Sequence, residues 1–248
     1  MALTHQIVAL DSGIKHLFKS NIMPKITVII PARNEEKTIE EIIKIVQTSN
    51  LADELIVVDS FSKDRTAEIA KKMGVKLIES KELGKAEAMK TGAENAFGDI
   101  LLFLDADLTG LASEHLQKLV QPLLEGKAAM CVGLRDYRGG FFTYLMKNFA
   151  FLIGGERAIF ASHFRKISGN KLAKGFNIET VMNVYCRKNK LPIKKVVLKN
   201  LAQRSKMKKQ GFFKGTIANQ RMFLNIAFVH LRLMFQQGVR VKQFKKGN

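Results

Sequence analysis

Ile26-Thr27-Val28-Ile29-Ile30-Pro31-Ala32-Arg33-Asn34-Glu35-Glu36 passes from an unbroken β-branched run, through a polar turn, into acidic helix-forming residues. Such a run predicts a buried strand, and the acids after it predict the first turn of a helix over 35–48. The alternation repeats downstream. Leu55-Ile56-Val57-Val58 reads as a second strand with a helix over 64–73, Val75-Lys76-Leu77-Ile78 as a third with a helix over 83–96, and Ile100-Leu101-Leu102-Phe103-Leu104 as a fourth. Near-continuous apolar strands separated by helices suit an α/β fold: a Rossmann-like, mostly parallel sheet flanked by helices, whose ligands sit at the carboxyl ends of the strands. The loops to inspect therefore follow Ile30, Val58 and Leu104.

Further out, a helix over 113–124 and a strand over 128–133 complete the regular part. Beyond Arg135 the pattern loosens into Gly139-Gly140, an apolar stretch over 141–153, and Gly154-Gly155. A helix over 179–190, a strand over 194–198, a basic loop and a final helix over 220–235 are expected after it. The chain's 248 residues fit one large domain. The expected division is an N-terminal extension over 1–22, a catalytic domain over 23–205, and a helical, basic, amphipathic C-terminal extension over 206–248.

Hydrophobic residues make up 46% and charged residues 25%, a balance that excludes a disordered chain. The formal net charge of +19 is concentrated at one end: residues 180–248 carry 17 Lys and Arg and no Asp or Glu. Such a segment attracts an anionic surface, or else forms a solvated basic face. Cys131 and Cys186 have no partner at metal-ligand spacing, which points to a reduced compartment. Residues 1–24 lack the unbroken apolar core of a signal peptide, and no run reaches the length that spans a bilayer. The expectation is a cytoplasmic protein that can lie peripherally on the inner face of the plasma membrane.

Asp105-Ala106-Asp107 follows a buried strand directly. Two carboxylates two positions apart on a turn can both approach one hard cation, and magnesium needs only one or two of them besides substrate phosphates and water. Alone, the pair is a weak signal and reads first as solvated loop aspartates. Asp59, however, ends another strand of the same inferred sheet, where the other reading is a turn or helix-capping aspartate. Around Pro31, Arg33, Asn34 and Glu35, a strand-to-helix turn either offers free backbone N–H groups to a phosphate or is a plain turn with acidic residues opening the helix; the residue types suit both equally. Gly84-Lys85 is either a turn or the source of a phosphate-binding lysine.

In order and spacing, Thr27 to Glu36, Glu54-Leu55-Ile56-Val57-Val58-Asp59-Ser60 with Asp64-Arg65-Thr66, Gly84-Lys85 and Asp105-Ala106-Asp107 together resemble the family 2 glycosyltransferases of GT-A fold. The later half joins the resemblance only through Gly154-Gly155-Glu156-Arg157-Ala158 and Gly175-Phe176-Asn177-Ile178-Glu179. What this implies is a metal-dependent transferase taking a sugar from a UDP- or GDP-linked donor. The donor nucleotide-sugar would be held by Pro31, Arg33, Asn34, Glu35, Asp59, Lys85, Asp105, Ala106 and Arg204. Asp107 and Asp105 would carry Mg2+ or Mn2+, with Asp107 first. Gly155, Glu156 and Arg157 would face the acceptor, similar to segments of polyprenyl-phosphate sugar synthases and glucosyl-3-phosphoglycerate synthases. The latter place a metal-binding histidine late in the chain, where this sequence reads Leu201-Ala202-Gln203-Arg204-Ser205-Lys206. That favours a lipid phosphate acceptor over 3-phosphoglycerate and suggests Arg204 or Lys206 as contacts to the leaving diphosphate. Asp107 and Glu179 are the catalytic candidates, Glu179 as a base or an acceptor-positioning carboxylate; a helix-stabilising role suits Glu179 as well.

The expected C-terminal helix carries Phe223, Ile226, Ala227, His230, Leu233 and Met234 on one stripe and is flanked by basic residues. It can lie in a membrane interface or pack on protein. Nucleotidyl transfer would need a glycine-rich loop where Pro31-Ala32-Arg33-Asn34-Glu35 stands. A nucleic-acid-binding protein is the remaining class, but the basic segment has no base-reading motif, so no nucleic acid is expected as partner.

Overall fold

A computed structural model describes residues 22–135, 155–170, 172–173 and 177–204, together with Ile14 and Ser20. The expected helix over 220–235, the apolar stretch over 141–153, Gly154 and Gly175-Phe176 lie outside the described residues.

Strands β1 (Ile26–Ala32), β2 (Glu54–Asp59), β3 (Lys76–Glu79) and β4 (Ile100–Phe103) alternate with helices α1 (Ile39–Thr48), α2 (Thr66–Lys72) and α3 (Lys85–Glu94). After them come β5 (Leu108–Thr109), α4 (Ser113–Leu124), β6 (Met130–Arg135), β7 (Arg157–Phe160), α5 (Ala161–Ser168), α6 (Ile178–Lys188), β8 (Ile193–Leu198) and β9 (Ala202–Gln203). One sheet runs in the order β3-β2-β1-β4-β7-β6-β8, and β5 pairs with β9 apart from it. The sheet is mostly parallel, with helices against it, as expected of a GT-A fold. Strand β7 departs, running antiparallel to both β4 and β6.

The apolar runs form the core because both faces of the sheet are covered: Val28, Ile29 and Ile30 of β1 and every residue of β4 are buried. Helix α1 shows the complementary pattern, burying Ile39, Ile42, Ile43 and Val46 at helical spacing while its other faces stay polar.

Helix α1 starts at Ile39 instead of residue 35 because the intervening residues are committed elsewhere. The Glu35 N–H donates to Thr66 Oγ1 at 2.8 Å, and Asn34 takes a left-handed φ of 56°. Strand β6 begins at Met130 instead of residue 128, since the Ala128 N–H is used by Pro122 O and the Ala129 N–H by Pro192 O. Strand β7, helix α5 and the two-residue pair β5–β9 were not expected: each is short, and each is decided by a partner distant in sequence.

The topology has a direct consequence for function. Because β7 runs against β4, its beginning lies beside the end of β4, with Phe103 opposite Arg157. The carboxyl edge of the parallel strands therefore also receives Gly155, Glu156 and Arg157. Strand β6 is parallel to β8 and ends at that edge with Arg135.

Candidate active site

At this edge lies a cleft of about 270 Å³. Pro31, Ala32, Arg33 and Glu35 line it from the end of β1, Ser60 from β2, and Gly84, Lys85 and Ala88 from the start of α3. Asp105, Ala106 and Asp107 follow β4, and Gln203 comes from β9. Three separate strand ends thus meet as expected.

The loops after β1 and β2 are clasped together. The Asn34 N–H donates to Ser62 Oγ at 3.0 Å, and the Lys63 N–H returns a bond to Asn34 Oδ1 at 2.8 Å. Asn34 is thereby a loop-holding residue outside the cleft lining. Asp59 is buried behind Ser60. Its Oδ2 accepts the Ser62 N–H at 3.0 Å, the turn role foreseen for it. Its Oδ1 is buried without a hydrogen-bond partner among the described residues. An unsatisfied carboxylate oxygen carries a desolvation cost, and a donor group on a ligand would remove it.

Across the cleft, Lys85 Nζ lies 2.6 Å from Asp105 Oδ1 and 2.8 Å from Glu179 Oε1. Burial opposes its charge, but the two carboxylates outweigh burial and hold the ammonium protonated far above the usual lysine range. Glu179 sits in the first turn of α6 with Oε2 buried and unpaired among the described residues. A second cation frames Asp105 from the other side: Arg135 Nη2 is 3.6 Å from Asp105 Oδ2 and 2.6 Å from Glu156 Oε1. Burial lifts the Glu156 carboxyl above its ordinary value; Arg135 opposes this and Asp105 adds to it.

Beneath this layer, the wholly buried Arg157 donates through Nη1 to the Glu179 carbonyl at 3.2 Å and to Asn183 Oδ1 at 3.3 Å. Burial lowers its pKa from the ordinary arginine value. Glu156 is also wholly buried. The described position of both residues is under the Asp105 turn. Gly155 touches that turn directly: a Cβ there would come 2.5 Å from Asp105 Cγ and closer still to both carboxylate oxygens.

Gln203 closes the ring. Its Nε2 donates to Asp105 Oδ2 at 3.1 Å and to Asp107 Oδ1 at 2.7 Å, while its Oε1 accepts from Arg135 Nη1 at 3.0 Å. Arg204 reaches the turn through its backbone, whose N–H donates to Asp107 O at 2.9 Å. Ala106 is fixed from the opposite side by Thr38 Oγ1, which donates to its carbonyl at 2.6 Å. Among the described residues no group of three or more His, Cys, Asp and Glu side chains forms a complete metal cage. The two carboxylates of the turn remain as oxygen donors, which suits a hard cation that also binds phosphate oxygens and water.

Arg135 and Gln203, whose side chains bind the Asp105–Asp107 turn, are site residues that the sequence reading did not select. Arg135 ends an apolar strand as Asp59 does, and that signal was available. For Gln203 the available signal was its segment, Leu201 to Lys206, where the resembling synthases carry a metal-binding histidine; its side-chain partners, 96 and 98 positions away, were not legible. Cys131 and Cys186 are free and buried, and burial pushes both thiols up to about 12, so neither supplies a thiolate. No helix among the described residues is long and apolar enough to cross a membrane.

Comparison with known proteins gives this edge a context. The sequence model of Glycosyl transferase family 2 matches residues 27–191. The chain is 35% identical over 170 residues to the 4,4'-diaponeurosporenoate glycosyltransferase of Staphylococcus haemolyticus, covering 64% of this chain and 44% of that protein. It is 33% identical over 143 residues to the dolichol-phosphate mannosyltransferase of Pyrococcus furiosus, covering 52% of this chain and 40% of that one. The chain thus spans less than half the length of these curated relatives. Among solved structures, glucosyl-3-phosphoglycerate synthase from Mycobacterium tuberculosis, in complex with Mn2+, UDP-glucose and phosphoglyceric acid, superposes with a TM-score of 0.63. Identity is 28%, and the match covers 77% of this chain and 76% of that one. Another structure of that enzyme contains Mg2+ and UDP.

Proposed function

Since the chain belongs to glycosyltransferase family 2, we propose that its cleft binds a nucleotide-diphosphate sugar, UDP- or GDP-linked, and transfers the sugar to a phosphate-bearing acceptor. The carrying observation is the meeting of three strand ends on a protonated Lys85 and the Asp105–Asp107 turn. This pairs a fixed cation with two carboxylates at the place where a diphosphate would leave.

In this reading the nucleotide lies along Pro31, Arg33 and Glu35, on a loop that Asn34 holds in place, with its base towards Asp59 Oδ1. Lys85 and Arg204 face the diphosphate. Asp107, assisted by Asp105, holds Mg2+ or Mn2+, which when bound neutralises charge on the departing nucleotide.

Glu179 is held against Lys85 through Oε1, and its free Oε2 can accept a hydroxyl hydrogen from the sugar or the acceptor. An acceptor that is already a phosphate anion needs no general base, and Glu179 then positions and does not deprotonate. Gly155, Glu156 and Arg157 build the acceptor side. Gly155 leaves room against Asp105, and Arg157 acts through the backbone of Glu179.

The preferred acceptor is a lipid phosphate reached at an anionic membrane surface, with the basic residues of 180–248 supplying the attraction. The dolichol-phosphate mannosyltransferase similarity supports this. Similarity to glucosyl-3-phosphoglycerate synthase supports a small soluble acceptor as the second reading.

Calorimetric titration with UDP- and GDP-sugars, with and without Mn2+, tests the donor site. Metal-dependent binding of one donor is expected, and its loss in Asp107→Ala; absence of binding to any donor overturns the reading.

A further inference from the structure

Gln203 occupies an unusual position for a neutral residue: one carboxamide nitrogen bridges two carboxylates, Asp105 Oδ2 at 3.1 Å and Asp107 Oδ1 at 2.7 Å. Its orientation is dictated by charge. Arg135 donates to Oε1 at 3.0 Å, so the NH2 must face the acids. The flipped amide would set its carbonyl oxygen against two carboxylates and its NH2 against a guanidinium, which is unfavourable on both sides.

Its location is equally constrained. Strand β9 places Gln203 opposite Leu108 in the β5 ladder, one position beyond Asp107. The Arg204 N–H ties down the Asp107 carbonyl. His115 Nδ1 accepts the Ala112 N–H at 3.1 Å, which leaves Nε2 to donate to the Lys199 carbonyl at 2.9 Å and anchor the loop before β9. Gly110, at φ 71°, leaves no room for a Cβ, which would stand 2.5 Å from the Asn200 carbonyl oxygen.

We propose that Gln203 is a positioning residue that stands in for the divalent cation. Its carboxamide cross-links Asp105 and Asp107 and competes for their oxygens until a nucleotide diphosphate brings further ligands. Resting on the metal-dependent reading above, this gives Gln203 a regulatory role in it. A cation between the two aspartates must displace a charge-assisted hydrogen bond held in place by Arg135. Metal alone is therefore weakly bound, and metal and donor enter together.

The test measures Mn2+ binding by paramagnetic resonance and calorimetry, without nucleotide and with UDP. Wild type, Gln203→Ala and Gln203→Glu are compared, and thermal melts report folding. Gln203→Ala removes the competitor and should bind Mn2+ alone about tenfold more tightly than wild type, the scale of one hydrogen bond to a charged group. Gln203→Glu adds a third carboxylate beside Arg135 and should bind more tightly still. In wild type, UDP should raise Mn2+ affinity by a larger factor than in Gln203→Ala.

Equal or weaker Mn2+ binding by Gln203→Ala, with wild type still binding Mn2+ in the presence of UDP, overturns the inference and leaves the donor reading standing. No Mn2+ binding to any of the three proteins, with UDP present, overturns both. Should Gln203→Ala fail to fold, Gln203→Met, which keeps the side-chain length but has no N–H to bridge the two acids, takes its place with the same expected gain in Mn2+ affinity.

Discussion

Gly155 shows how much one missing methyl can control. The chain needs β7 to begin hard against the Asp105 carboxylate, and only glycine permits that approach. Gly155→Ala is expected to push the Asp105 side chain off Lys85 and Arg135. It should cost about 1–3 kcal/mol of stability, as overpacking does, while transfer falls much more steeply. Urea denaturation set beside initial rates checks this; a fully active variant would contradict the placement. Asp107 is the opposite case, a residue whose loss the fold should tolerate. Asp107→Ala is expected to melt within a few degrees of wild type yet abolish metal-dependent turnover, and near-normal transfer at saturating donor and metal would refute its role.

At the level of elements, β7 decides the site. A fifth parallel strand next to β4 would have delivered its carboxyl end to the edge. The antiparallel strand delivers its beginning, and with it Glu156 and Arg157. Arg157 then couples this strand to α6, since its guanidinium holds the Glu179 carbonyl and the Asn183 side chain. Arg157→Met keeps the bulk of the side chain but leaves Glu156 and Glu179 buried with less compensating charge. Removing one partner from such a network costs about 3–5 kcal/mol. The expected result is a chemical-denaturation midpoint far below wild type. A shift comparable to that of the exposed Arg65, which precedes α2, would show that the coupling carries little.

For the whole molecule, acid sensitivity follows from carboxylates held in their charged form. Burial works to raise the Glu54 carboxyl, but Lys76, Thr27 Oγ1 and the Phe97 N–H outweigh it, so its folded pKa lies below the unfolded value. The sign is fixed: a depressed acid stabilises the fold above its unfolded pKa, and that contribution is lost as pH falls through the folded pKa. Asp64, held down against burial by Thr66 and the Glu36 N–H, acts in the same direction. Stability should therefore decline below about pH 5, and Glu54→Gln should flatten that decline. Melting curves over this range read it out, and an unchanged slope would exclude Glu54 as a contributor. The basic end makes a separate prediction. The full chain should sediment with anionic vesicles at low salt and lose that binding both at high salt and on removal of residues 206–248. Absence of binding at low salt would eliminate the membrane reading.

Much of this was legible in one dimension, because burial on both faces leaves apolar runs that any reader of the sequence can find. Strands β1, β2 and β4 announced themselves that way, and so did the order that carries Pro31, Asp59 and Asp105 to one edge. Chemistry placed immediately after such a run needs only local information. What the sequence could not disclose depends on pairing across long separations. The reversed β7 is four buried residues whose direction is set by its neighbours, and Gln203 acquires its meaning only when β9 lies beside β5. Loop closure over some hundred residues leaves no local periodicity. The parallel half of the sheet and the edge after β1, β2 and β4 were therefore determined by patterns within each segment, whereas the charge network around Asp105, and the amide that bridges it to Asp107, were decided by tertiary packing alone.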